Sequence, residues 1–423
     1  MRRETRTLYP GRLLAFQSHD CCLAASIKLW FHCDAIYAGN RSCILCGMQE
    51  QKLKPELISS TTPSVPHVYA IEPVATSISR FPTTRYYGSK RKLLPWVFDS
   101  VKLLEFDTVL DAFGGTGSVS QLFRAMRKRV FYHDPFHFNT HVAETLLTEG
   151  ATITTERLNA ILDLVRPIRG TVAQNFENIF FLPSENEWID GFATLIGEMV
   201  ISDADKSLLF YLLYQSCLKK RPFNLFHRSN LAIRTASGVK RSFGNATTWE
   251  KSFREHMSQG LAELLAYRRD RLPPATVLPA GDVSLLQPGY DLVYLDPPYV
   301  AEDERRNRDN YWRRYHFLEG LSQYAEWSKL IEPGSAIGMM PEPKHFTDWS
   351  RKKHFKEKLF DLIDRHKNST VVLSYVKAAY PDDACIREFF ESRFINVTVH
   401  STEHSHALSG LKRRELLYIG VPK

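Results

Sequence analysis

The chain lacks the features that would place it in a membrane, outside the cell, or around a nucleotide pyrophosphate. No run approaches the ~18 apolar residues of a membrane helix. The N-terminal arginines precede no uninterrupted apolar core with a small-residue cleavage site, so no secretory signal is read and the cytoplasm is the expected compartment. Cysteine is scarce and uneven: Cys21, Cys22, Cys33, Cys43 and Cys46 lie near the start, and only Cys217 and Cys385 follow. Cys43 and Cys46 form a single CxxC, with His32 and Cys33 upstream, whereas a structural zinc site wants two such pairs. Free thiols and no metal are therefore expected. The dinucleotide fingerprint GxGxxG is missing, and no glycine cluster is followed by the Lys-Ser/Thr of a phosphate loop, which disfavours a pyrophosphate cradle.

What remains suits a folded protein with a polyanionic partner. At 423 residues the chain is too long for one compact core of usual size, so two units, or one large domain with an insert, are expected. Hydrophobic residues make up 43% and aromatics 12%, enough to bury a core. The formal net charge of +8 agrees with a polyanion without requiring one.

Three motifs carry chemistry. The first is Asp296-Pro297-Pro298-Tyr299, at the end of the apolar run DLVYL. Asp296 offers a carboxylate acceptor, the Pro297 carbonyl a second, and the two prolines stiffen the backbone that holds them. Tyr299 adds a ring that can lie on a base face. Such a set suits an exocyclic amino group on a flat base. The second motif is VLDAFGGTGSV, in which a strand-like run ends at Asp111 and Gly114, Gly115 and Gly117 lead into a helix-compatible stretch. Glycine there lets the backbone approach a ligand or adopt positive φ. Asp134 follows the next apolar run, where a carboxylate can accept from ribose hydroxyls. The third is RYYGSKRKLLPWV, whose Tyr86 and Lys90 flank a Gly-Ser turn and can cover and pair with a bound zwitterion.

From Thr83 onward strands and helices alternate, which predicts a mainly parallel sheet. Strands are expected at TVL, RVFYHD, ATVLPAGD, DLVYLDPP, SAIGMM (335–340) and STVVLSYV, and FINVTVHST with ELLYIGV should close the sheet as an antiparallel hairpin. Residues 144–272 interrupt the alternation with helical patterns. Ser202 is placed to cap a helix whose Leu208, Leu209, Leu212 and Leu213 face a core. The segment that follows is basic and interleaved with aromatics, a composition suited to nucleic acid. Its candidate DNA contacts are Arg221, Asn224, His227, Arg228, Arg234, Lys240 and Arg241, among Phe223, Phe226, Phe243 and Trp249. A second patch follows the tetrad, with Arg305, Arg306, Arg308, Arg313 and Arg314, and Lys412, Arg413 and Arg414 form a third. Residues before Met48 share no pattern with the rest, and Met48 is read as the natural start.

In order and spacing, YYGSK, DAFGGTG, DPPY, RRYHFLEGL and RRELLYIG resemble the Dam-like class of DNA N6-adenine methyltransferases, over roughly Thr83 to Lys423. Tyr86 stands where that family often has Trp, and Ser89 where it has a second glycine. The resemblance implies a Rossmann-like, mainly parallel class I methyltransferase sheet with a terminal antiparallel strand, built from residues 83–143 and 273–423. It implies a mostly helical target-recognition insert at 144–272, after an N-terminal extension and linker at 1–82. S-adenosylmethionine is the implied cofactor, held by Tyr86 and Lys90 at its methionine moiety, by Asp111, Phe113, Gly114, Gly115 and Gly117 of the glycine turn, by Asp134 at the ribose and by Asp282 at the adenine. The implied reaction is methyl transfer to N6 of an adenine flipped out of duplex DNA, with Asp296, Pro297, Pro298 and Tyr299 as the catalytic tetrad. A restriction-modification role is expected, with a restriction endonuclease of the same specificity as a partner. RNA adenine methylation, N4-cytosine methylation and a non-catalytic nucleic-acid-binding role on the same scaffold are the competing readings.

Overall fold

The structure is a computed structural model that describes residues 71–222, 225–237, 246–268, 271–302, 310–405 and 412–423. Residues Val65–Lys423 form one compact unit. Met48, the N-terminal cysteines and their CxxC lie outside the described residues.

The strands are β1 (Thr108–Asp111), β2 (Arg129–Tyr132), β3 (Thr276–Val277), β4 (Leu292–Leu295), β5 (Val300–Ala301), β6 (Thr370–Val376), β7 (Ala379–Tyr380), β8 (Asn396–Ser405) and β9 (Lys412–Val421). Seven of them form one sheet in the order β3-β2-β1-β4-β6-β9-β8. β3, β2, β1, β4 and β6 pair in parallel. β9 runs antiparallel between β6 and β8. The fold is therefore a class I methyltransferase sheet with its antiparallel strand inserted near one edge. β5 and β7 form a separate two-stranded ribbon. The expected strand at 335–340 is absent. There the chain turns, because Gly334 and Gly338 hold positive φ and Glu332 pairs its backbone with Met339 across the turn.

The central strands are buried on both faces, so side chains alternate between two apolar layers rather than between core and solvent. Val109, Tyr294, Val372 and Leu417 point into one layer. Leu110, Val293, Leu373 and Tyr418 point into the other.

Helices α1 (Ile71–Arg80), α2 (Leu94–Val101), α3 (Ser118–Ala125) and α4 (His137–Leu147) belong to the first half of the chain. Between β2 and β3 the sequence is mostly helical, as its periodicity predicted: α5 (Thr155–Leu164), α6 (Thr171–Asn175), α7 (Pro183–Glu198), α8 (Asp203–Lys220), α9 (Ala232–Thr235), α10 (Ala246–Glu250) and α11 (Phe253–Tyr267). Ser202 caps α8 by accepting from the Asp205 amide, and the four leucines are buried. After β5 come α12 (Tyr311–Ser322), α13 (Tyr324–Leu330), α14 (Lys344–Ser350) and α15 (Lys352–Arg365), and α16 (Asp383–Arg393) precedes β8.

This helical region is not an independent lobe. Phe317 of α12 lies against Phe176, Phe180, Phe181 and Phe226 at centroid distances of 5.1, 5.4, 5.5 and 4.8 Å, and against Trp327 of α13 at 5.1 Å. Phe317→Ala should therefore cost about 3–5 kcal/mol of global stability, the range for an emptied aromatic core position. Urea unfolding followed by circular dichroism should show one transition at a lower midpoint, rather than separate loss of the inserted helices.

Candidate active site

The carboxyl ends of β1, β2 and β4 open onto one cleft of about 940 Å³, counting its open mouth. In an open α/β sheet this is where ligands bind. Tyr86, Lys90, Asp111, Phe113, Gly114, Gly115, Asp134, Asp296 and Pro298 all line it. Three segments far apart in sequence are thus brought together.

The glycine turn is shaped by β2. A Cβ at Gly114 would stand 2.2 Å from the Tyr132 ring, so only glycine fits there. Gly117, with φ of 75°, begins α3 in a left-handed conformation and packs on Leu147 rather than facing the cleft. Asp134 fixes the turn by accepting from the Gly115 amide at 2.9 Å, and also from Phe136 N and Asn139 Nδ2. Burial pushes its carboxyl up to about 6 in spite of those bonds. Burial likewise raises Asp111 to about 7, although Ser120 donates to its Oδ2 at 2.7 Å. Its Oδ1 is buried without a protein partner. Asp282 caps a short 3₁₀ turn, accepting from the Ser284 amide, and is half-exposed.

The YYGSK element is held by α12. Tyr86 stacks flat on Tyr315 at 4.7 Å with 2° between the rings, and the Tyr87 amide donates to the Tyr315 hydroxyl at 2.7 Å. RRYHFLEGL therefore docks on the upstream motif. Glu319 ties the same helix to the start of α4, accepting from His137 Nδ1 at 2.7 Å and from the Phe138 amide.

Lys90 is turned toward the tetrad. Its Nζ lies 2.9 Å from Asp296 Oδ1 and 3.9 Å from Glu415 Oε2, and it donates to the Tyr299 hydroxyl. Burial disfavours its charge, but the two carboxylates outweigh burial and hold its pKa above the ordinary lysine value. Pro297 is buried and Tyr299 half-buried, and neither lines the cleft; the Tyr299 ring lies edge-on to Tyr375 with Lys90 Nζ 4.9 Å from its centroid and its hydroxyl inside the Lys90 network. Glu415 was not marked as a site residue by sequence reasoning. Nor were the cleft walls Tyr311, Trp312, Glu342, His345, Phe346, Trp349 and Ser350. No local pattern distinguishes these residues from ordinary helix and strand positions.

The candidate DNA residues divide. Arg221 is 1% exposed, donates to the carbonyls of Phe180, Leu225 and Arg228, and lies over the Phe180 and Phe226 rings. Arg234 is buried in a two-pronged pair with Glu185 at 2.8 Å, and Lys220 pairs with the same carboxylate. These cations hold the helical region together and cannot reach a phosphate. Phe226 and Trp249 are core residues, and Arg314 is buried against the Tyr87 ring, so the expected contacts from these three are also corrected. Arg228 and Arg313 are exposed. His227 beside them is pushed down to about 4 by burial and by Arg314, Arg228 and Arg313, so it stays neutral within a cationic surface. Arg414 pairs with Glu403 at 2.6 Å. Asn224, Lys240, Arg241, Phe223, Phe243, Arg305, Arg306 and Arg308 lie outside the described residues.

The described residues contain no cluster of metal-ligating side chains and no helix long and apolar enough to cross a membrane. Cys217 and Cys385 are free thiols. Residues 86–319 match the family described as D12 class N6 adenine-specific DNA methyltransferase, more than half of the chain. A comparison with curated proteins finds none that matches.

The raised carboxyls set a sign for the pH dependence of stability. Asp111 and Asp134 bind protons more tightly folded than unfolded. Their contribution is full below the unfolded value of about 4 and is lost as pH rises through about 6 and about 7. Ligand-free protein should therefore lose stability between about pH 4 and pH 7 from these two groups, and Asp111→Asn should flatten much of that slope in thermal melts across this range.

Proposed function

The chain belongs to the D12 class of N6 adenine-specific DNA methyltransferases, and we propose that it moves a methyl group from S-adenosylmethionine to N6 of an adenine flipped out of duplex DNA. The observation that carries this reading is the shared cleft: the glycine turn and Asp296 open into the same cavity.

The cleft suits the cofactor. It offers the glycine turn, the carboxyl of Asp134 at the end of β2, and a buried acceptor on Asp111 with no protein partner among the described residues, matched to a cationic group such as an α-ammonium. Bound S-adenosylmethionine supplies a methyl group on a sulfonium, an activated leaving group that needs no covalent enzyme intermediate. Tyr86 and Phe113 cover its apolar parts, and Asp282 is the candidate for its adenine amino group.

The chain's own task is the target amine, whose lone pair is delocalised into the ring. Asp296 and the Pro297 carbonyl accept its hydrogens and hold the nitrogen in line for attack. Pro298 fixes the loop. Extrusion of the base costs a few kcal/mol. Tyr299 is the ring proposed to stack on the extruded base, which offsets about 1–3 kcal/mol of that. His227, Arg228 and Arg313 form the described part of the proposed DNA surface. Asn224, Lys240 and Arg241, outside the described residues, are DNA-contact candidates from sequence alone.

Labelled cofactor offered with duplex DNA and with structured RNA, followed by nucleoside mass spectrometry, should give N6-methyladenine from DNA. N4-methylcytosine, or label in RNA alone, would overturn the reading. Asp296→Ala should abolish transfer while cofactor binding by calorimetry stays within about threefold. DNA affinity should fall with salt at a log-log slope near −0.9 per phosphate neutralised. Arg313→Ala should make that slope shallower by about one such contact.

A further inference from the structure

The Lys90 network contains one acid that the chemistry above does not use. Glu415 sits on β9, 3% exposed, opposite Val376 of β6 and Thr402 of β8. Its Oε2 lies 3.1 Å from the Tyr299 hydroxyl, and Asp296 Oδ1 lies 2.9 Å from the same hydroxyl. The phenol has one proton and two carboxylates to give it to. Lys90 donates to the phenol oxygen, so that oxygen's own proton must point outward to one of them.

The choice affects the reaction. A phenol proton on Asp296 occupies one of its acceptor sites and makes the carboxylate a poorer acceptor for the target amine. A phenol proton on Glu415 leaves Asp296, among the described residues, bound by Lys90 alone, with its remaining lone pairs available. If Glu415 is protonated, it becomes the donor to the phenol oxygen and the phenol proton is driven back onto Asp296.

We propose that Glu415 is a positioning residue of the methyl transfer, its ionised carboxylate drawing the Tyr299 hydrogen bond to itself and so keeping Asp296 open to the amino group. This rests on the adenine-transfer reading above. The charged and titratable groups facing Glu415 are Lys90, Asp296, Tyr299, Tyr294 and Arg413. Asp383 and Arg387 of α16 meet Tyr418 on the opposite face of β9. Burial raises the Glu415 carboxyl above its ordinary range, with Lys90, the Tyr299 bond and Arg413 acting against that rise and Asp296 adding to it. The switch from acceptor to donor therefore occurs at a higher pH than for a free glutamate.

Two measurements test the proposal. The first needs no substrate. In protein carrying carboxyl-labelled glutamate, the carbon signal missing from Glu415→Gln identifies Glu415. Its titration midpoint should rise in Tyr299→Phe, because the ionised acid loses a donor. An unchanged midpoint would overturn the proposal. The second is kinetic. Glu415→Gln should lower kcat about tenfold, with KM for cofactor and DNA within about twofold, and should remove the acid limb that wild-type kcat shows as pH falls. Added to Tyr299→Phe, the same substitution should cost less than about twofold, since there is no longer a proton to contest. Wild-type kcat in Glu415→Gln, or an equal loss with and without the phenol, counts against the proposal. Absence of any transfer to adenine by the wild-type enzyme would fail the functional reading, while the glutamate titration would still decide the hydrogen bond.

Discussion

The site depends on a buried cation held between two carboxylates. Lys90 lies 2.9 Å from Asp296, an acid placed just past the end of a fully buried strand. Taking such charges out of water is expensive, and the attraction between them compensates only when their other donors and acceptors are also engaged. Here the Tyr299 hydroxyl and Glu415 take up the remaining bonds. The tetrad is therefore the visible part of a larger polar cluster whose members come from the upstream loop, the end of β4, and β9.

Two other arrangements keep that cluster in place. The first is aromatic: Tyr86 stacks on Tyr315, so α12 carries the loop that delivers Lys90. The second is the glycine turn, pressed against Tyr132 and pinned by Asp134. Both are dense and specific contacts of the kind that fix a side chain to within a fraction of an ångström. The helices between β2 and β3 join the same core through Phe317, so the cleft and the region expected to meet DNA share one packing unit.

Much of this was legible in the sequence because local chemistry carried it. The βα alternation, the glycines leading into α3 and the proline-stiffened tetrad each declare themselves within a dozen residues, and their common cleft follows from the topology of a parallel sheet. What failed was what depends on distant partners. The segment after α8 looked basic because its acids were counted locally. The acid that pairs with Arg234 and Lys220 is Glu185, on another helix, and Arg221 is satisfied by carbonyls rather than by charge. Residues 335–340 read as a strand by hydrophobicity, yet two glycines with positive φ bend them. Glu415 was invisible for the same reason as Glu185: a single acid in an apolar run gives no hint that a tyrosine 116 positions earlier will meet it.

The position of β9 bears on how the enzyme is made. It lies between β6 and β8, yet it is the last of the described strands to leave the ribosome. Until it slots into that gap, Lys90 and Asp296 face each other without their third charge and the sheet has an unfilled seam. Closing that seam is a long-range pairing of the kind that forms slowly in folding.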